Sequence, residues 1–143
     1  MMITVNLNDL ELNEFWGENH PTIHNRSTFP LVGAMGAENS ATVYFELEPG
    51  DSLGRHTDSV EEILLVLDGT LEVSVGEEKG RLSQHEMALV PTMVPHDLRN
   101  VGEGTAKVLG FFGSPNIVAT FDVMFVPANT RVIDTAALFA QPA

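Results

Sequence analysis

Gly54-Arg55-His56-Thr57-Asp58-Ser59-Val60-Glu61-Glu62 runs directly into Ile63-Leu64-Leu65-Val66-Leu67-Asp68-Gly69. The second half is an apolar run closed by Asp-Gly. It reads as a strand ended by a hairpin turn of the primed type, with Thr70 to Val75 as the return strand. Side chains two apart on a strand share a face, so His56 and Asp58 point the same way. By the same rule Glu62, Leu64 and Val66 oppose Ile63, Leu65 and Leu67. A second imidazole, His96, opens a later β-type run, His96 to Val101. Two imidazoles and two carboxylates are ligand types for a divalent transition metal. If they converge, the chain builds a metal site inside a β-barrel.

Outward from this stretch the same periodicity recurs. Ala41 to Leu47 alternates Val43, Phe45 and Leu47 against Thr42, Tyr44 and Glu46, and Pro49-Gly50 ends it. Leu31 to Ala34, Met87 to Val90, Thr105 to Phe112 and Ile117 to Val126 are further β-type runs, divided by turns such as Gly76–Gly80, Gly102-Glu103-Gly104 and Gly113-Ser114-Pro115-Asn116. Roughly eight short strands with turn signals every 8–12 residues imply an all-β sandwich or barrel. Residues 1–29 read as an N-terminal arm. Within it Asn8 to Trp16 is a short helix, capped by Asn8 with Glu11, and 17–28 is polar and irregular. Residues 30–134 are the barrel, and 135–143 a tail in which Asp134 or Thr135 caps one helical turn before a frayed Gln141-Pro142-Ala143.

The 143 residues suit one domain with its own core. There is no cysteine, which excludes disulfides, iron–sulfur clusters, thiolate zinc and cysteine nucleophiles. The net charge of −13 repels phosphate backbones, so nucleic acid and anionic membranes are not expected partners. No apolar run approaches the roughly 18 residues that span a bilayer, and the first residues lack the basic and apolar regions of a secretory signal. A cytoplasmic location is expected. Both faces of Glu62–Leu67 are apolar, so the outer face needs cover. Together with Phe111-Phe112 and Val118–Val126 this predicts a homodimer, with the outer sheet face or the N-terminal arm in the interface.

The order Gly50-x5-His56-x-Asp58-x3-Glu62-x6-Gly69 resembles the first cupin motif, and Pro91-x-Met93-x2-His96-x3-Asn100 resembles the second. The two motifs span residues 50 to 100. The resemblance implies a double-stranded β-helix, the jelly-roll cupin barrel. It implies that His56, Glu62 and His96 bind one divalent metal ion (Fe, Mn or Zn) and that Asn100 is structural. Asp58 stands where the family usually has a second His. Either Asp58 binds, giving two His and two carboxylates, or it falls short and orients a ligand or water beside a two-His, one-carboxylate triad. Met93 stands at a usual turn glycine, where a positive φ is costly. That turn is expected to be reshaped, with the thioether aimed at the pocket. Glu61 is the register alternative to Glu62.

Of the other candidates, His20 and His24 have i, i+4 spacing but lack further zinc ligands. His85 reads as a turn residue and Tyr44 as core or rim packing, while Arg55 and Arg99 alternate outward. Met87, Met93, Phe111, Phe112 and Met124 suggest core or an apolar lining suited to an apolar or aromatic small molecule. The leading function is a metal-dependent small-molecule enzyme with dioxygenase-like oxidative chemistry, in which Glu62 serves as general base. The alternatives are a non-catalytic metal or ligand sensor and a metal-dependent isomerase.

Overall fold

The alternation in Ala41–Leu47 is realised as a strand flanked on both sides, and every other pairing in the sheet is likewise antiparallel. The computed structural model describes residues 1–140. The expectation for 141–143 lies outside the described residues. In chain order the strands are β1 Asn13–Gly17, β2 His20–Thr28, β3 Ala41–Leu47, β4 His56–Asp58, β5 Glu62–Asp68, β6 Leu71–Val75, β7 Glu78–Leu82, β8 Met87–Val90, β9 His96–Asn100, β10 Ala106–Phe112, β11 Val118–Val126 and β12 Thr130–Asp134. One helical turn, α1 Thr135–Leu138, follows. Hydrogen bonding orders them β7-β6-β9-β4-β11-β1-β2-β3-β10-β5-β8, with β12 beside β11. The sheet curls into a nearly closed barrel, the all-β cupin jelly roll that the motifs implied.

The inward faces supply the core. Val66, Leu71, Leu98 and Val108 are fully buried, and so is Leu47. Each such side chain contributes roughly 1.5–3 kcal/mol of transfer free energy. Glu62, Leu64 and Val66 face inward while Ile63 is exposed, as the period-two reading requires. Asn100 is buried at the end of β9, where its Nδ2 donates to the carbonyls of Leu47 and Gly104 at 2.8 Å. It thereby ties two neighbouring segments together, a structural role.

Four local expectations give way. Asn8–Trp16 is not a helix. Only Leu7–Asp9 makes a 3-10 turn, capped by Asn6, and Asn13–Gly17 is a strand paired with β2 and β11. The polar stretch 17–28 holds β2, whose outward His24 and Arg26 find carboxylate partners, so polarity there marks a solvated face rather than an irregular one. Leu31–Ala34 is not a strand, since a 3-10 turn occupies Gly33–Met35. Asp68-Gly69 is not a hairpin. β5 pairs with β8 and β10, whereas β6 pairs with β7 and β9. The turn is a corner that carries the chain from one wall of the barrel to the other. Gly69 sits there at φ +94°, so close to β10 that a Cβ would lie 2.9 Å from Ala106 Cα. At the other end Asp134 caps α1, accepting the Ala136 amide at 3.0 Å. No helix among the described residues is long and apolar enough to cross a membrane.

Candidate metal centre

β4 and β9 place His56 and His96 directly opposite each other across an antiparallel pair. Their ring centroids lie 4.1 Å apart. Asp58, two residues along β4, turns the same way. Its Oδ2 lies 3.1 Å from His96 Nε2 and 3.7 Å from His56 Nε2. Glu62 enters from β5 on the facing wall, with Oε1 3.4 Å from His96 Nε2. All four side chains are buried, while the register alternative, Glu61, is exposed. His56, Asp58 and His96 present ligand atoms mutually within 4.8 Å. Glu62 stands just outside that set of three. Asp58 therefore reaches the centre, short as its side chain is.

The ring orientations are fixed from behind. His56 Nδ1 donates to the Gly54 carbonyl at 2.8 Å, and His96 Nδ1 donates to the Val94 carbonyl at 2.9 Å. Both Nε2 atoms consequently face the centre, the tautomer a metal ligand needs. Phe121 of β11 stacks on His56 at 4.4 Å, and Phe125 meets Phe121 edge-on at 4.6 Å. These rings clamp the imidazole between β9 and β11. The sequence reading missed Phe121. Its inward alternation on Val118–Val126 was the available signal.

Electrostatics set the four groups apart. Burial, reinforced by the neighbouring His96, pushes the His56 pKa down to about 4. Burial also raises Glu62 to about 7, with the Asp58 charge adding to the effect against the opposing bond to His96. For His96 burial acts against the charge, but the Asp58 and Glu62 carboxylates outweigh it and lift the pKa to about 10. Asp58 Oδ2 and His96 Nε2 are fully buried and, although 3.1 Å apart, make no well-aligned hydrogen bond among the described residues. Buried polar atoms in native proteins are normally paired, and leaving one unpaired costs roughly 1–3 kcal/mol. A cation between them would satisfy both, so the donor set fits a divalent ion.

Glu62, Asp58 and His56 open onto a cavity of about 680 Å³ that extends up the barrel to β12 and α1. Phe15, Phe45, Phe112, Phe121, Phe125 and Phe139 line much of it. None of the chain's seven Lys and Arg residues lines it. Met93 keeps the positive φ, at +62°, rather than reshaping the turn, and its amide binds the Asp58 carbonyl at 3.0 Å. Its side chain is 58% exposed and lies outside the lining, so the thioether does not enter the pocket. Met87 and Phe111 are also exposed on the outer face, while Phe112 faces the cavity.

The remaining candidates are placed elsewhere. His85 is a turn residue with φ +72°. Arg55 and Arg99 face outward. Tyr44 is buried in β3, its hydroxyl donating to Glu46 at 2.6 Å. His20 and His24 lie on a strand, where i, i+4 side chains are roughly 13 Å apart. His24 instead bridges Asp51 at 2.6 Å and Glu14 at 2.7 Å, with Trp16 stacked on its ring.

Residues 43–112 match the family described as Cupin domain. Among solved structures the chain is similar to the oxalate decarboxylase of Lactobacillus farciminis, seen in a formate complex, with 19% identity and TM-score 0.66, over 76% of this chain and 32% of that one. A recombinant oxalate oxidase in complex with glycolate shares 22% identity at TM-score 0.60, over 65% and 53% of the two chains. The polyketide cyclase RemF of Streptomyces resistomycificus shares 19% identity at TM-score 0.64, over 78% and 79%. The chain thus spans about a third of the decarboxylase chain and about half of the oxidase chain. At these identities the likeness is one of fold. No curated protein matches the chain. The two motifs and the family match give the chain a cupin domain over residues 43–112, and its jelly-roll sheet is the cupin fold.

Proposed function

We propose that this cupin binds one divalent metal ion (Fe, Mn or Zn) through His56, Asp58, His96 and Glu62, and acts with it on an apolar or aromatic small molecule held in the cavity above. The observation that carries this is the convergence of four buried ligand side chains, with Asp58 Oδ2 at 3.1 and 3.7 Å from the two Nε2 atoms and Glu62 Oε1 3.4 Å from His96 Nε2, around rings whose other nitrogens are already committed. The ion supplies Lewis-acid polarisation of a substrate oxygen and, if it is iron, access to dioxygen chemistry. Everything else falls to the chain. His56 and His96 aim their Nε2 atoms inward, and the phenylalanine lining makes the chamber largely apolar. Glu62 borders the cavity, where its carboxylate, once off the ion, accepts a proton as a general base must. We place dioxygenase-like oxidative chemistry first, because two imidazoles and two carboxylates, each giving one atom, still leave positions of a six-coordinate ion open towards the cavity.

Metal analysis of the purified wild type and of His56→Ala tests the site. About one equivalent in the wild type and near none in the variant is expected. Sub-stoichiometric metal in the wild type after reconstitution refutes it. A metal-assisted isomerisation is the second reading, favoured by the Glu62 carboxylate bordering the cavity, which suits proton transfer on an enolisable compound. Oxygen uptake with Fe²⁺ separates the first reading from solvent-deuterium incorporation without oxygen uptake, which marks the second. Ligand-induced thermal shift with neither would leave a sensor.

The outer faces of β10, β5 and β8 carry Phe111, Ile63, Leu89 and Met87, adjacent in register and all exposed. A second copy of the chain seated on this patch would cover it and the open edge of β8. Light scattering at micromolar concentration is expected to give twice the chain mass, and a monomer mass rejects the dimer.

A further inference from the structure

β2 carries a side chain that the metal site does not use. Asn25 lies on the inward face of β2, between the outward His24 and Arg26, and pairs across to Phe15 of β1. It is only 4% exposed and lines the cavity. Its Oδ1 is buried without a hydrogen-bond partner among the described residues. An amide in a phenylalanine-lined chamber is costly to keep unless something satisfies it. Asn13 and Ser27, also opposite each other on β1 and β2, continue a polar strip along the same wall. The strip stands two strands from β4, through β11, and three from β5, through β3 and β10. A molecule in the cavity is therefore bounded by the metal ligands on one side and by an unpaired amide on another.

The chamber also has a charge character. Its lining includes Asp58, Glu62 and Asp134 but no Lys or Arg. A divalent ion would balance Asp58 and Glu62, and no further positive charge remains to hold an anion. The aromatic walls suit flat, uncharged rings. The amide needs a partner that satisfies it whichever way its oxygen and nitrogen are turned. A hydroxyl, donor and acceptor at once, does so.

We propose that Asn25 is the specificity-determining residue of the cavity, and that it orients a neutral, hydroxylated aromatic compound by hydrogen bonding to its hydroxyl. This rests on the reading of the cavity as the substrate chamber. It does not require that the metal be bound. Asn25 positions the molecule and takes no part in bond making.

Three probes of one ring system test it by equilibrium dialysis: 2-naphthol, 2-methylnaphthalene of nearly equal size, and anionic 2-naphthoate. Each is measured on metal-loaded and on EDTA-treated protein. In the wild type 2-naphthol is expected to bind about tenfold tighter than 2-methylnaphthalene, the discrimination one buried hydrogen bond supplies. It is also expected to bind about tenfold tighter than 2-naphthoate. In Asn25→Leu the advantage over 2-methylnaphthalene falls to about one, with 2-methylnaphthalene binding unchanged or stronger. The melting temperature of Asn25→Leu should not fall, because an unpaired amide has been replaced by an apolar group of similar volume. Asn25→Ala serves if the leucine variant does not fold. A hydroxyl preference that survives both substitutions in EDTA-treated protein overturns the proposal, as does tightest binding of 2-naphthoate or binding of none of the probes. Absence of metal from the wild type would sink the metal reading alone, since the hydroxyl preference is read without it.

Discussion

Gly110→Ala should be the most informative single substitution outside the metal ligands. Gly110 lies mid-strand in β10, between Val43 of β3 and Leu64 of β5. A Cβ built there would overlap the Glu62 carboxylate and come within 2.8 Å of Val43 Cγ1. Val43 is β-branched and stiff at χ1, so it yields little. Glu62 must therefore swing, and its way is blocked by its own burial against His96. Overpacking of this kind costs about 2 kcal/mol, or about 6 °C in melting temperature for a domain of this length. Metal affinity should fall as well. The assay is a thermal-denaturation cycle of Gly110→Ala, Glu62→Ala and the double variant. With the carboxylate gone only the Val43 contact remains, so the cost of Gly110→Ala should drop by about 1 kcal/mol. A cost below about 0.5 kcal/mol in the wild-type background, or one unchanged by Glu62→Ala, would refute the placement of Glu62 over this glycine.

His24 is part-buried, and although burial disfavours its charge, Asp51 and Glu14 raise its pKa above 6.5. Its contribution to stability should be complete below pH 6.5 and disappear as pH rises through the raised folded-state value. The melting-temperature gap between wild type and His24→Gln should close accordingly, with the emission of the one tryptophan, Trp16, reporting the same titration; a gap that widens with pH contradicts the ion pairs. Metal binding as proposed must displace the proton of His96, whose pKa is about 10. Apparent affinity should therefore climb about tenfold per pH unit between pH 7 and 9, with about one proton released in calorimetry across buffers at pH 8; pH-independent binding rejects His96 as a ligand. Phe121→Ala removes the ring stacked on His56 and should cost about 3–5 kcal/mol, measurable by urea denaturation, and should weaken metal binding further; a stable variant with wild-type metal affinity would show that the stack positions nothing.

The parts of the fold legible in the sequence are those where a strand has one wet and one dry face. Ala41–Leu47 and Met87–Val90 are strands with the expected bounds, and the two motifs implied the jelly roll itself. The N-terminal stretch misleads because Leu12, Phe15 and Trp16 have helical spacing. The strand prevails because Phe15 faces the cavity while Trp16 packs outside on His24, a separation that alternation requires. Asp68-Gly69 carries the local code of a hairpin, but local code cannot say which strand receives the chain after the turn. At the site, residue types and spacing brought His56, Asp58, Glu62 and His96 into one hypothesis. Whether Asp58 reaches depended on its distance from His96 Nε2, which no spacing encodes. Asn25 was invisible for the same reason. Having no partner is a property of a residue's surroundings, and one asparagine in a polar strand advertises nothing.

The placement of β4 between β9 and β11 bears on how the molecule is made. β4 is three residues long and pairs with a strand some forty residues later and with another some sixty residues later. The two imidazoles thus meet only after large loops have closed, events whose entropy loss makes them late and slow. An ion met early by the unfolded chain finds scattered ligands and gives collapse little help. One met by the finished barrel retards its opening. Addition of metal should accordingly lengthen the unfolding half-life much more than it shortens refolding.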